Sequence, residues 1–241
     1  MPRHSSPSDS LRRAHEALLF ALHHSDDRLD AVARVARICV ELLPVDGASV
    51  SLIFGPDRRE TLFASNEVVA GIEALQFGLG EGPCFEAARL RSPVLISDLR
   101  ATTVTAWPIF AAEAADRPIG AIFAFPLMNG EISVGALDLY RTAPGRLSTT
   151  DVAIAMQVAA IVTVALLGER ADDQTTWWTD VPFNRAHIHQ ATGMVSAASH
   201  LTAPDALARL RSYAYATGRL LDDVADDLVT RRVDPVDLDR P

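Results

Sequence analysis

The chain contains no lysine; its 22 Lys-or-Arg positions are all arginine. A P-loop lysine, a pyridoxal Schiff base and the ATP-pairing lysine of a kinase are therefore excluded. A phosphorylation-receiver domain sets a lysine beside its aspartate pocket, so that class is disfavoured too. Cysteine is scarce as well. Cys39 and Cys84 are too few for a zinc framework, and Cys39 falls in an apolar helical pattern that predicts burial. Met1 to Ser10, rich in serine and proline, has no apolar signal core and reads as disordered. Val152 to Leu167 is apolar, but it is alanine-rich, contains Gln157 and is short for a bilayer span of ~20 residues. Together these absences predict a cytoplasmic, reduced, soluble protein without membrane contact.

A length of 241 residues suits one large or two small domains. With 49% hydrophobic and 22% charged residues the composition is that of a globular protein. The net charge of -9 argues against indiscriminate binding to nucleic acid or anionic membrane. Any nucleic-acid contact has to come from a local arrangement of arginines.

From Leu11 to Leu43 the pattern is helical, with a break at Ser25 to Asp27 and an end at Pro44. Gly47 to Phe54 and Glu60 to Ala64 read as strands around a Gly55-Pro-Asp turn. Val68 to Gln76 reads as a helix, Gly78 to Pro83 as a loop, Cys84 to Leu90 as a helical turn and Pro93 to Ser97 as a strand. Ile109 to Ala115 is helical. Ile119 to Met128 and Ile132 to Tyr140 form a hairpin over Asn129-Gly130, and Thr149 to Gly168 is a long helix. This order predicts an α+β fold, an antiparallel sheet with flanking helices. An all-α unit follows. Ile188, Ala191, Val195 and Ala198 make one apolar stripe; Ala206, Leu207, Leu210, Tyr213 and Ala214 a second; Leu221, Val224, Ala225 and Leu228 a third. Thr202 can cap the second helix, with Pro204 in its first turn, and Gly218 is placed to end it. A three-helix unit this small buries little surface and usually needs a partner.

Two resemblances follow. Gly78-Leu-Gly-Glu-Gly-Pro-Cys84, Pro93-Val94, Ser97-Asp98-Leu99, Phe125-Pro-Leu127 and Val134-Gly-Ala-Leu-Asp-Leu-Tyr140 resemble a GAF domain, a sensor or protein-interaction module. Arg185, Ile188, Gln190-Ala191-x-Gly193, Leu201-Thr202, Asp205-Ala206, Leu210-Arg211, Ala214, Leu220 and Asp223-Val224-Ala225 resemble an ANTAR domain, a three-helix RNA-binding module of transcription antitermination. The pairing is similar to that of actinobacterial regulators. It implies a disordered segment over 1–10, a GAF-like sensor with dimerisation helices over 11–170, a linker over 171–182, an ANTAR-like module over 183–233 and a tail over 234–241. The implied function is an RNA-binding antitermination regulator whose sensor controls a module that grips hairpin loops in nascent RNA. A pair of loops implies two binding units and so a homodimer.

The candidate sites divide between the modules. Arg211 and Tyr215 lie four apart on one helix and share a face, which suits phosphate contact beside base stacking. Arg185, Arg209 and Arg219 are further candidates for phosphate. The resemblance adds Thr192 and Gly193; between Ala191 and Gly193 the family usually carries Lys or Arg, and here a neutral Thr192 stands. In the sensor, Trp107, Phe110, Phe123 and Phe125 fall on elements that flank the ligand side of GAF-like sheets, and they are expected to line an apolar pocket for an unknown small molecule. Phe123 and Phe125, two apart on a strand, share a face. Gly78-x-Gly80-x-Gly82 lacks the spacing and lysine of a phosphate cradle and reads as a tight loop. Cys84 at a helix start is a candidate low-pKa thiol with Cys39 as its only resolving partner; a packing role is the preferred reading. His187-x-His189 and His23-His24 point to different faces and predict no metal site. Trp177-Trp178 is expected at an interdomain or dimer contact. No catalytic residue, metal or cofactor is expected. The alternatives are a cysteine-dependent GAF enzyme of the sulfoxide reductase type and a signalling dimer that has lost RNA binding.

Overall fold

Alternation along the strands decides which side of the sheet is greasy. In β1 (Gly47–Ile53) Val50 and Leu52 alternate with Ser49 and Ser51, and in β5 (Ile132–Arg141) Leu137 and Leu139 flank Asp138. One face is therefore aliphatic and the other carries small polar groups and a carboxylate. With β2 (Arg59–Ala64), β3 (Val94–Ile96) and β4 (Ala121–Asn129) these strands form one sheet in the order β2-β1-β5-β4-β3, every neighbouring pair antiparallel. The β4–β5 hairpin turns at Asn129-Gly130, where Gly130 takes φ 59°. Pro126, which has no N–H to donate, sits beyond the reach of β3, whose pairing covers Ile122 to Ala124. The structure, a computed structural model, describes residues 12, 14, 16–18, 20–21, 27–53, 59–101, 106–167 and 185–239. The expected turn at Gly55, the pair His23-His24, the linker and Trp177-Trp178 lie outside the described residues.

The aliphatic face is covered by α1 (helical at 12, 14, 16–18, 20 and 21), α2 (Arg28–Leu42) and α6 (Thr149–Leu167). Asp27 starts α2 by accepting the Asp30 amide at 2.7 Å. On α6, Ile154, Ala155, Val158, Val162 and Leu166 recur at helical spacing and pack into this core. Among the described residues α6 is the one helix long and apolar enough to pass for a membrane span, yet this face of it is buried in the domain.

The polar face is covered by α3 (Glu67–Leu79), α4 (Pro83–Leu90) and α5 (Pro108–Ala115). The Asn66 side chain caps α3 by accepting the Val69 amide at 3.0 Å. The helix runs past the point where a loop was expected. Gly78 and Leu79 are still helical, and the stop is Gly80 at φ 70°, a left-handed cap that glycine adopts without penalty.

The C-terminal helices α7 (Ala186–Ser199), α8 (Ala203–Ala216) and α9 (Leu221–Val229) pack around Ile188, Val195, Leu207, Leu210, Val224 and Leu228. Thr202 accepts the Asp205 amide at the start of α8, and Gly218 at φ 64° follows its end. Their core also takes in Leu238 from the C-terminal turn and, from the sensor, Phe77 of α3, 1% exposed. The partner that a three-helix unit needs is the sensor domain itself.

Candidate functional site: a buried ionic cluster and the arginines above it

The apolar stripe of α3 at Val69, Ile72 and Phe77 is interrupted by Glu73 and Gln76, and both are buried. They meet the polar face of the sheet. Glu73 accepts hydrogen bonds from Ser49 Oγ at 2.9 Å and Ser51 Oγ at 2.5 Å and is ion-paired with Arg59, brought in by edge strand β2. Arg59 also donates to Ser51 Oγ at 3.2 Å, reaches Asp138 Oδ2 at 3.9 Å and lies 5.1 Å from the Phe85 ring centroid. Gln76 ties the cluster together. Its Nε2 donates to Asp138 Oδ2 at 2.8 Å, and its Oε1 accepts the Cys84 amide at 2.9 Å.

Two carboxylates share one guanidinium here, so their protonation states separate. Burial and the neighbouring Glu73 charge push Asp138 well above the carboxylate range. For Glu73, burial works against the charge, but the Arg59 guanidinium and the Ser51 hydroxyl together hold it below its ordinary value. The cluster is thus an Arg59–Glu73 ion pair beside an Asp138 whose proton is held more tightly than in an exposed carboxyl. Cys84 sits against it with no exposure, and burial pushes its thiol well up. Cys39 is buried in the aliphatic core on the opposite face of the sheet. Burial thus works on Cys84 in the direction opposite to that expected from a helix start, and favours the packing reading of this residue.

The four aromatic pocket candidates are not brought together. Trp107 and Phe110 pack edge to face at 5.4 Å in the core under α3 and α5, and Trp107 Nε1 donates to Glu86 at 2.5 Å. Phe123 and Phe125 do share a face, but it is the aliphatic one, packed against α2 and α6. Of the four, Trp107 borders a small cavity of about 200 Å³ with Gly80, Glu81, Phe85 and Arg89.

Above the cluster lie the C-terminal arginines. Arg185 and Arg211 both stand over the Phe77 ring, at 4.0 and 5.3 Å from its centroid, and Arg211 Nε donates to the Phe77 carbonyl at 3.1 Å. Such cation–π contacts stabilise by about 0.5–2 kcal/mol each, more as water is excluded. Burial, with Arg59 nearby, lowers the Arg185 pKa from its usual value, and its Nη1 is buried without a hydrogen-bond partner among the described residues. His189 reaches the buried Glu60 of β2 at 3.5 Å, whereas His187 faces Asp222 at 3.2 Å. The two histidines do point apart.

The remaining candidates scatter. Tyr215 is 55% exposed and lines the same cleft as Arg211, so the pair does share a face. Arg219 is bound to Asp227 at 2.5 Å, and Arg232 joins the same carboxylate at 2.6 Å. Arg209 is half-buried and Gly193 is exposed. Thr192 is 8% exposed and donates to the Ile188 carbonyl at 2.7 Å, so its side chain is turned into the helical unit and not toward a partner. Sequence reasoning missed Arg59, Glu73, Gln76, Asp138 and Phe77. The available signal was a carboxylate and an amide on the apolar stripe of one helix, and an aspartate centred in an aliphatic strand.

Residues 25–167 match the family model of the GAF domain, and residues 184–229 match that of the ANTAR domain. No curated protein matches the chain. Among solved structures, the GAF domain of a phosphoenolpyruvate-protein phosphotransferase from Coxiella burnetii aligns with TM-score 0.55 at 16% identity, covering 70% of this chain and 98% of that one. The chromophore-binding domain of a Stigmatella aurantiaca bacteriophytochrome aligns with TM-score 0.53 at 11% identity, covering 69% and 63%. At these identities the likeness is one of fold. By its matches and its architecture the chain belongs to the GAF domain family and carries a C-terminal ANTAR domain, joining a sensor-class module to one of an RNA-binding class in a protein of signal transduction and transcription regulation.

Proposed function

We propose that the chain is a transcription antitermination regulator whose ANTAR domain binds hairpin loops in nascent RNA, and that its GAF domain holds that module closed until a signal arrives. One observation carries the reading: Arg211, the foremost candidate for phosphate contact, and Arg185, a further one, both lie on Phe77 of the sensor. In an acidic, lysine-free chain, RNA affinity has to be concentrated in a few arginines. Docking those arginines on the sensor withholds much of that affinity. The RNA face would comprise Arg185, Arg211 and Tyr215, with Arg209, Arg219 and Gly193 at its margin. Helix α3 supplies the control. Gln76, which holds the buried cluster, and Phe77, which holds the arginines, are consecutive residues, so a signal that disturbs the cluster bears directly on the dock.

Filter binding of hairpin RNA to the full chain tests this. Phe77→Ala should open the module, seen as faster amide exchange in α7 and α8, and should tighten RNA binding by about tenfold if the closed form predominates. In that background Arg211→Ala should weaken binding and reduce the salt slope by about one contact. Tyr215→Ala should cost roughly 1–3 kcal/mol with the slope unchanged. An opened Phe77→Ala protein that binds no hairpin at low salt would sink the antitermination reading.

A further inference from the structure

We propose that the cleft between the sensor and the helical module is a second ligand site, shaped for a small organic anion with a flat apolar body. The cleft has a volume of about 400 Å³, which is the size of small-molecule pockets. One wall is α3 and the end of α5; the other is α8 and the start of α9. It is separate from the buried cluster on the sheet and from the cavity beside Trp107.

Its lining has the two properties such a ligand needs. Leu75, Leu79 and Leu220 provide apolar surface, and the exposed Tyr215 ring stands at the cleft with them. Cations come from both walls, Arg117 from just after α5 and Arg211 from α8, and they face an anion together with the carboxylates Glu113 and Asp222 that also line the cleft. Arg219 also borders the cleft but is taken up by Asp227. The Arg117 side chain makes no hydrogen bond or ion pair among the described residues. It is nevertheless given room. At Gly71, in the middle of α3, a Cβ would stand 3.2 Å from Arg117 Nη1. A glycine within a helix costs roughly 1 kcal/mol relative to alanine, and here it lets a guanidinium lie against the helix at the edge of an apolar cavity.

An unpaired guanidinium beside apolar walls fits a carboxylate or phosphate monoester, either of which a guanidinium binds through two parallel hydrogen bonds. A flat ring on the same molecule would lie against Tyr215 and Leu79. Because Arg117 belongs to the sensor and Arg211 to the helical module, the occupant would bridge them and favour the docked arrangement. That it would thereby oppose RNA rests on the proposed function; the site itself does not.

The test uses the full chain without RNA. Calorimetric titration with 1-naphthoate and with 1-naphthyl phosphate should show binding by at least one of these anions, and the neutral 1-naphthamide should not bind. The better anion identifies the headgroup. Arg117→Gln removes the charge without breaking an internal contact, so its melting temperature should match the parent while anion affinity falls by about tenfold or more. Ala74→Trp, which fills the cleft, should abolish binding of both anions. The proposal is overturned if neither anion binds, if the amide binds as well as the acid, or if Arg117→Gln binds like the parent. Because no RNA is present, none of these results bears on the antitermination reading, and a chain that failed to bind RNA would leave them standing.

Discussion

Asp138 and Glu73 sit against one buried arginine and carry opposite pH signatures. Asp138 titrates above its unfolded value. As pH rises past the ordinary aspartate range, the unfolded chain releases this proton while the native state keeps it, so its contribution to stability falls with rising pH. Glu73 titrates below its unfolded value and contributes stability that is lost as pH falls through its folded pKa. Asp138→Asn keeps an acceptor for Gln76 and removes the first slope. Chemical denaturation between about pH 5 and pH 8 should find the variant gaining on the parent as pH rises; equal pH profiles would show that Asp138 is ionised in the fold. Thr192 makes a second point at this scale. Its position in the family pattern suggested that lysine there would restore an RNA contact. Its burial says otherwise, and Thr192→Lys should lower the melting temperature, by the equivalent of about 1–3 kcal/mol for the displaced hydrogen bond and packing. A thermal melt unchanged from the parent would contradict this. Residue type and spacing could not distinguish an inward Thr192 from an outward one, because that face is set by how α7 packs on α8 and α9.

Among the elements, α3 links the modules. Its Glu73 and Gln76 turn toward the sheet, its Phe77 enters the helical core, and its cap at Gly80 touches the docked arginine. At Gly80, φ is 70° and an added Cβ would stand 2.7 Å from Arg211 Nη1. Gly80→Ala should therefore cost roughly 1–2 kcal/mol of backbone strain and loosen Arg211 at the same time. A lower melting temperature with faster exchange in α8 is the expected pair of readouts; strain with no effect on α8 would place Arg211 elsewhere. Most elements were legible because their signals are local: the Asn129-Gly130 hairpin, the Thr202 cap, the stripes of α7, α8 and α9. Helix α3 was shortened in the reading because Gly78 was taken as a breaker. Gly78 instead continues the helix and faces Leu221 of α9, which a Cβ at this position would meet in ordinary contact at 3.9 Å.

At the scale of the molecule, α6 buries one face in the sensor and leaves Met156, 40% exposed, and Val164, 55% exposed, on the other, with Ala160 exposed between them at four-residue steps. An apolar stripe of this length on a helix with a packed opposite face fits pairing with a second copy, as two RNA loops would require. Light scattering at micromolar concentration should give a dimer mass, and Val164→Glu with Met156→Glu should give a folded monomer. A parent that is already monomeric would remove this interface. The order of the domains was readable from the sequence; their docking was not, since Phe77 carries no mark that distinguishes it from a residue of its own domain's core.

Phe77 has one more consequence. When the module undocks, the helical core loses a phenyl ring and two guanidiniums lose the surface they lay on. Left empty, that site would be a hydrophobic hole flanked by cations, and the open form would be poorly stable. A nucleobase is also a flat ring on which guanidinium groups stack. If the module opens to bind RNA as proposed, opening would exchange one planar occupant for another. On the proposed reading, a base that replaced the ring would restore part of what undocking removes, which would reduce the cost of opening.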